Sequence, residues 1–169
     1  IIDIGRVRAK TSQLMEIHSA LRGFKNAGKT IYVYADQGIS NKDYLIVSMA
    51  DEIYLNEYTG IDLKGIRMKV PFFRGLLDTL LIVPEVFRVE HEGKSYKTAA
   101  DPLINRKMSD EMRENYSEVS DDLYKLFVKN ISKGREWNEN HTRDIIDNGP
   151  YLVPEDAISA GLADSIMYP

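Results

Sequence analysis

The 169-residue sequence has no cysteine. That excludes a disulfide framework, thiolate zinc sites and a cysteine nucleophile, and it leaves the redox compartment open. Histidine is scarce as well: His18, His91 and His141 stand far apart, and none forms a metal-spaced pair such as H-x-x-x-H. Each reads as a surface or hydrogen-bonded helix residue. No apolar run approaches the roughly 20 residues needed to cross a bilayer, so no spanning helix is expected within these residues. Basic charge is also short. Lys and Arg number 22 against 26 Asp and Glu, a formal net charge of −4, and no Lys/Arg stripe with interleaved aromatics appears, which excludes a dedicated nucleic-acid binder. A G-x-S-x-G nucleophile elbow is absent. The carboxylates lie scattered over helix faces, where Asp110-Glu111 and Asp121-Asp122 fit solvated charge rather than an acid/base pair.

What is present is an ordinary globular composition, 43% hydrophobic and 28% charged, long enough for one self-sufficient core; a single domain over residues 1–169 is expected. Ile1 lies inside an apparent strand with no initiator methionine before it. The sequence is therefore expected to be a piece of a longer polypeptide, with any anchor or secretion signal upstream. Leu14, Ile17, Leu21 and Phe24 recur at spacings of three and four, predicting an amphipathic helix over 11–27, capped by Thr11 or Ser12 and stopped by Gly28. Residues 29–35 are rich in β-branched and aromatic side chains and predict a buried strand. Ser40 caps a short helix to Ala50, and strands are expected at 52–55 and 60–63. Pro71 suits a first helical turn, followed by an apolar face of Phe72, Phe73, Leu76, Leu77 and Leu80. A strand at 86–89, a long helix from Ser109 to about Lys133, a Pro154-started helix ending at Gly161 and a strand at 165–167 complete the pattern. Strands alternating with helices predict an α/β fold with a mainly parallel sheet.

Two motifs bear on chemistry. Residues 23–30, Gly23-Phe24-Lys25-Asn26-Ala27-Gly28-Lys29-Thr30, match the phosphate-binding pattern G-x-x-x-x-G-K-[ST] letter for letter. The context is reversed, because a helix runs into Gly23 and a strand leaves after Thr30, whereas phosphate binding needs strand, loop and then helix N-terminus. The stretch reads as a helix C-cap. The second is Lys97 in Ser95-Tyr96-Lys97-Thr98-Ala99-Ala100-Asp101-Pro102. A lysine stripped of water can activate a serine without histidine. Keeping such an amine neutral near neutral pH requires about 4 kcal/mol of differential stabilisation. Small and apolar neighbours leave little to solvate a charge, Tyr96 and Thr98 can orient an amine by hydrogen bonds, and burial at a subunit or domain contact could supply the rest. Most lysines are simply surface residues, and no convincing nucleophile accompanies this one.

At this point the sequence resembles the signal peptide peptidase A (protease IV) family over almost its whole length. The resemblance rests on the ordered segments 20–31, 44–55 (Tyr44-Leu45-Ile46-Val47-Ser48-Met49-Ala50-Asp51-Glu52-Ile53-Tyr54-Leu55), 60–65 and 72–78. Its strongest piece is Val86-Phe87-Arg88-Val89 leading to Tyr96-Lys97-Thr98-Ala99-Ala100-Asp101-Pro102, similar to that family's lysine motif. The resemblance implies a crotonase/ClpP-like superhelix of βαβ units. It implies further that this is the N-terminal, lysine-bearing domain of a large tandem-domain serine protease, with Lys97 as general base and the serine on a missing C-terminal domain. The approach 90–95 is a few residues longer than usual, which leaves Lys94 as a second candidate. At the matching nucleophile position, aligned on Tyr44, stands Asn41. No glycine pair follows it, so Ser40 reads as a helix cap and the isolated domain is expected to be inactive.

By the same resemblance the substrates are peptides, namely residual signal peptides, cut by a Ser/Lys dyad without metal or organic cofactor. Partners are the serine-bearing domain and further copies in a homo-oligomer, with no nucleic acid. The location is the periplasmic side of a bacterial inner membrane, reached through an anchor outside these residues. Two rivals remain: a noncatalytic domain that builds the oligomer and the substrate groove, and a crotonase-type acyl-CoA enzyme, since one fold hosts several chemistries.

Overall fold

The computed structural model describes residues 1–91, 93 and 95–168. They divide into two compact units, Ile1–Gly65 with Lys125–Pro169, and Ile66–Tyr124.

The first unit is a parallel α/β assembly. β1 (Ile2–Asp3) leads through a loop to α1 (Thr11–Asn26), whose Leu14 and His18 are buried. The helix cap falls on Lys10 rather than on Thr11 or Ser12, because the Gln13 side chain turns back to accept from the Lys10 amide at 2.9 Å. α1 ends as expected at a left-handed glycine: Gly28 has φ 76° and its amide donates to Lys25 O at 2.8 Å. The chain then enters β2 (Tyr32–Ala35). The phosphate-like motif is thus a helix stop, as its context predicted.

β2 alternates: Val33 and Ala35 are fully buried, whereas Tyr32 is exposed and Tyr34 half-buried. The strand is therefore covered on one face only, not buried throughout. After β3 (Ile39–Ser40), α2 (Asn41–Val47) and Ser48–Ala50, β4 (Glu52–Leu55) repeats the alternation with Ile53 and Leu55 inside. Tyr32 to Ala35 stand opposite Glu52 to Leu55 in parallel register. β1 flanks β2, and β6 (Ser165–Ile166) flanks β4, giving an all-parallel order β1-β2-β4-β6. β3 pairs in parallel with β5 (Ile61–Asp62) as a second, two-stranded sheet. Parallel neighbours require crossovers, and α1 and α2 supply them, so the α/β reading with a mainly parallel sheet holds.

The core gathers Leu14, Tyr44, Val47, Ile53, Leu55, Val128, Ile131, Ile146, Ala157 and Leu162, all essentially inaccessible. Burial of a Leu or Ile side chain contributes about 1.5–3 kcal/mol each. Tyr44, fully buried on α2, donates its hydroxyl to Leu162 O at 3.0 Å, and desolvation pushes its phenol well above the ordinary value. Gly60 and Gly134 are among the glycines that permit close backbone contact. A Cβ on Gly60 would lie 2.3 Å from the Leu152 carbonyl oxygen, and one on Gly134 would lie 2.5 Å from Ser48 O. Gly60 sits where Ile39 N donates to its carbonyl at 3.0 Å while Ile61 exchanges amide and carbonyl with Tyr151. α6 (Glu139–Asn148), not foreseen from the sequence, is capped by Asn138, whose side chain accepts from His141 N at 2.8 Å. α7 (Pro154–Ser159) starts on its proline as expected.

The second unit contains α3 (Arg74–Thr79), a single 3-10 turn (Thr98–Ala100), α4 (Asp101–Ile104) and the first part of α5 (Asp110–Arg135), whose remaining residues belong to the first unit. Two expectations fail here. The helix predicted from Pro71 begins only at Arg74, because the Phe73 amide is taken by Pro102 O at 2.7 Å, and none of its residues is buried. The strand expected at 86–89 does not form; this β-rich stretch finds no ladder among the described residues and leaves Phe87 94% exposed.

Candidate functional site

Lys97 stands at the N-cap of the 3-10 turn, with φ −85° and ψ 72°, between the buried Ser95 and Thr98. Its own side chain is exposed in this chain, and its small neighbours do not cover it. Those neighbours are short, and short side chains do not reach over an amine. Tyr96 does not turn towards it either: its hydroxyl donates to Glu114 on α5 at 2.8 Å, and that carboxylate raises the Tyr96 phenol above its ordinary value. Lys97 itself has no hydrogen bond or ion pair among the described residues. Lys94, the second candidate, lies outside the described residues.

The loop around Lys97 is nonetheless fixed at both ends. Ser95 Oγ donates to Val89 O at 3.0 Å, and Asn115 Nδ2 donates to Tyr96 O at 3.2 Å. Asp101, with no solvent exposure, accepts from Arg88 at 2.9 Å on one carboxylate oxygen and from Ser109 Oγ on the other. Ser109 Oγ also accepts from the Met112 amide at 3.2 Å and so caps the start of α5. Arg88 holds Glu90 as well, at 3.1 Å. A buried carboxylate is tolerated only when paired and hydrogen-bonded, and this one satisfies both oxygens from residues on either side of the lysine loop. Sequence reasoning overlooked Asp101 and Arg88. The signal was an acid followed by proline at a helix start, within the motif itself.

In the first unit, Ser40 and Asn41 form the corner between β3 and α2. Ser40 is a helix cap, as expected: its amide and Oγ both donate to Asp43 Oδ2, at 2.9 and 2.7 Å. Asp43 is 2% exposed and also accepts from Val7 N at 2.8 Å through its other oxygen. The Asn41 side chain is spent on backbone. Its Nδ2 donates to Lys64 O at 2.7 Å and its Oδ1 accepts from Lys64 N at 2.9 Å, prolonging the β3–β5 ladder. Neither residue presents a free nucleophile.

Among the described residues no group of three or more His, Asp or Glu is placed to hold a metal, and no helix is long and apolar enough to cross a membrane. Ahead of the lysine loop, Leu81, Val83, Phe87 and Val89, all within nine consecutive positions of the sequence, are each at least 75% exposed.

A parallel α/β unit joined to a second unit that displays an anchored lysine loop defines an α/β protein with a mainly parallel sheet. Residues 23–168 match the family described as Peptidase family S49, and the chain belongs to that family. It is 34% identical over 139 residues to Protease 4 of Haemophilus influenzae, covering 82% of this chain and 21% of that protein. It is 28% identical over 153 residues to the chloroplastic serine protease SPPA of Arabidopsis thaliana, covering 90% of this chain and 22% of that one. The chain thus spans about a fifth of the length of these curated relatives, 21% and 22%. A crystal structure of a peptidase from Plasmodium falciparum shares the fold at a TM-score of 0.53 and 12% identity, covering 99% of this chain and 77% of that one.

Proposed function

We propose that this chain is the lysine-contributing part of a serine endopeptidase whose serine is supplied by polypeptide outside these residues. The observation that carries the reading is the division of labour between its two corners: Lys97 is exposed on a tethered loop, while the Asn41 side chain is committed to Lys64 backbone and Ser40 to Asp43. The family membership supports a peptidase, and the relatives' greater length supports a further domain. In the assembled protein Lys97 Nζ takes the proton from the serine Oγ as that oxygen attacks the scissile carbonyl. The resulting ammonium returns the proton to the leaving amine when the C–N bond breaks, and water then releases the acyl group by the same route. Backbone amides of the serine-bearing domain hold the oxyanion.

Burial of the amine comes from the partner surface. The exposed apolar residues ahead of the loop, Phe87 and Val89 among them, support a face that is covered on assembly, by the serine domain or by further copies in a crotonase-like oligomer. Substrates on this reading are residual signal peptides, cut at the periplasmic side of a bacterial inner membrane to which an anchor elsewhere holds the protein. The test is Lys97→Ala in the full-length protein. Peptidase activity is expected to fall by about 100- to 10,000-fold with the fold retained; full activity would remove Lys97 from the chemistry and leave a domain that only shapes the assembly.

A further inference from the structure

We propose that Asp101 is the positioning residue for Lys97, its buried carboxylate tying together the two ends of the lysine loop so that the amine is presented at one place. The proposal rests on the reading of Lys97 as the general base, and it adds to that reading a residue that touches neither substrate nor amine.

The argument starts from cost. An inaccessible carboxylate among apolar surroundings is expensive unless its oxygens are satisfied, and Asp101 is the only acid of the second unit, among the described residues, with no exposure at all. Its two oxygens reach in opposite directions along the chain. Arg88 lies nine residues before Lys97 and Ser109 twelve after it, at the cap of α5. Between them the 3-10 turn and α4 bring Lys97 within four residues of the carboxylate. The remaining tethers, Ser95 to Val89 and Asn115 to Tyr96, fix the same loop from outside. Lys97 is the residue this arrangement leaves unbound, which is what presentation of an amine to a partner requires: flanks held, side chain free. Charge-assisted hydrogen bonds are about twice as strong as neutral ones and geometrically demanding, so the bonds from Arg88 and Ser109 to Asp101 are the strong tethers of the set. A misplacement on the order of 1 Å suffices to cost about 100-fold in rate.

The test uses the full-length protein and two readouts. Asp101→Asn keeps the shape and the acceptor for one partner while removing the charge. It is expected to lower kcat at least tenfold with KM within twofold, and to change the rate at which an acylating amine reagent labels Lys97, read by mass spectrometry, at least threefold relative to the other lysines. Arg88→Gln, on the half-exposed partner, is expected to reproduce both effects more weakly and keeps the proposal testable if Asp101→Asn does not fold. Asp101→Glu is expected to restore part of both. Unchanged relative labelling of Lys97 in Asp101→Asn and Arg88→Gln overturns the proposal, as does a loss of activity that only tracks the unfolded fraction. Failure of the base assignment looks different: Lys97→Ala would then keep its activity while the labelling change in Asp101→Asn persisted.

Discussion

Removing the Asp43 carboxylate tests the physical account of the β3–α2 corner. Three donors converge on this side chain: Val7 N at 2.8 Å, Ser40 N at 2.9 Å and Ser40 Oγ at 2.7 Å. Asp43 is 2% exposed, but Val7 and Ser40 are only half-buried. A hydrogen bond to a charged group contributes about 1.5–3 kcal/mol net. Three such bonds would suggest about 4–9 kcal/mol, but the half-buried donors recover part of that from water once the acid is gone. Asp43→Ala is therefore expected to cost about 3–5 kcal/mol. Asp43→Asn keeps one oxygen, which turns towards the two Ser40 donors and places its NH2 against Val7 N; one lost bond and one donor facing a donor cost about 1–3 kcal/mol. Urea unfolding read by fluorescence of Trp137, the one tryptophan in the sequence and a residue of the same unit, supplies both numbers if the slope is unchanged. An Asn variant as damaged as the Ala variant, or an Ala variant within 1 kcal/mol of the parent, would refute the hydrogen-bond argument.

Three further outcomes follow from the same packing. His18 is 1% exposed; burial first, then Arg22, with Lys133 adding to both and the Asn130 backbone opposing them, hold its imidazole below the ordinary value of 6.5. The unfolded chain therefore binds the proton more readily, so the stabilisation is complete above pH 6.5 and is lost as pH falls from there through the folded-state value. The urea midpoint of this unit should drop between about pH 7.5 and 5.5, and His18→Gln should flatten that drop; an equal drop in the variant would exclude His18 as its source. Gly60→Ala sets a Cβ 2.3 Å from Leu152 O, where backbone cannot rotate away, so it should lower stability by at least about 2 kcal/mol. Gly23→Ala, in α1 with nothing within 4 Å of the new methyl, should raise stability by about 0.5–1 kcal/mol, and thermal melting of the pair checks both signs.

Legibility of the sequence tracked how much of each element is decided locally. α1, β2, β4, the Pro154 start of α7 and the helix stop at Gly28 were readable because periodicity, β-branching and a left-handed glycine act within a few residues. Ser40 was readable as a cap for the same reason. What failed depended on distant partners. Residues 86–89 carry strand-forming side chains, but a strand needs a neighbour, and none is present among the described residues. The helix after Pro71 starts late because the carbonyl of Pro102, far along the sequence, takes the Phe73 amide. α6 escaped notice because the only aliphatic side chains among its residues, Ile145 and Ile146, are adjacent, so no spacing of three or four shows in the sequence. At the candidate site the lysine was visible as a motif, whereas its supports were not: Asp101 looks like any other acid until Arg88 and Ser109 are seen on its two oxygens.

The clasp between Asn41 and Lys64 bears on attempts to build a nucleophile into this domain. A carboxamide imitates a peptide unit, giving one hydrogen and taking one, so it acts here as an extra rung on a two-stranded ladder. A hydroxyl in its place has a shorter reach and would have to release at least one end of Lys64. Asn41→Ser would thus unstitch the neighbouring backbone before it offered an attacking oxygen, and a usable hydroxyl at this position would require remodelling of the 63–65 stretch along with it.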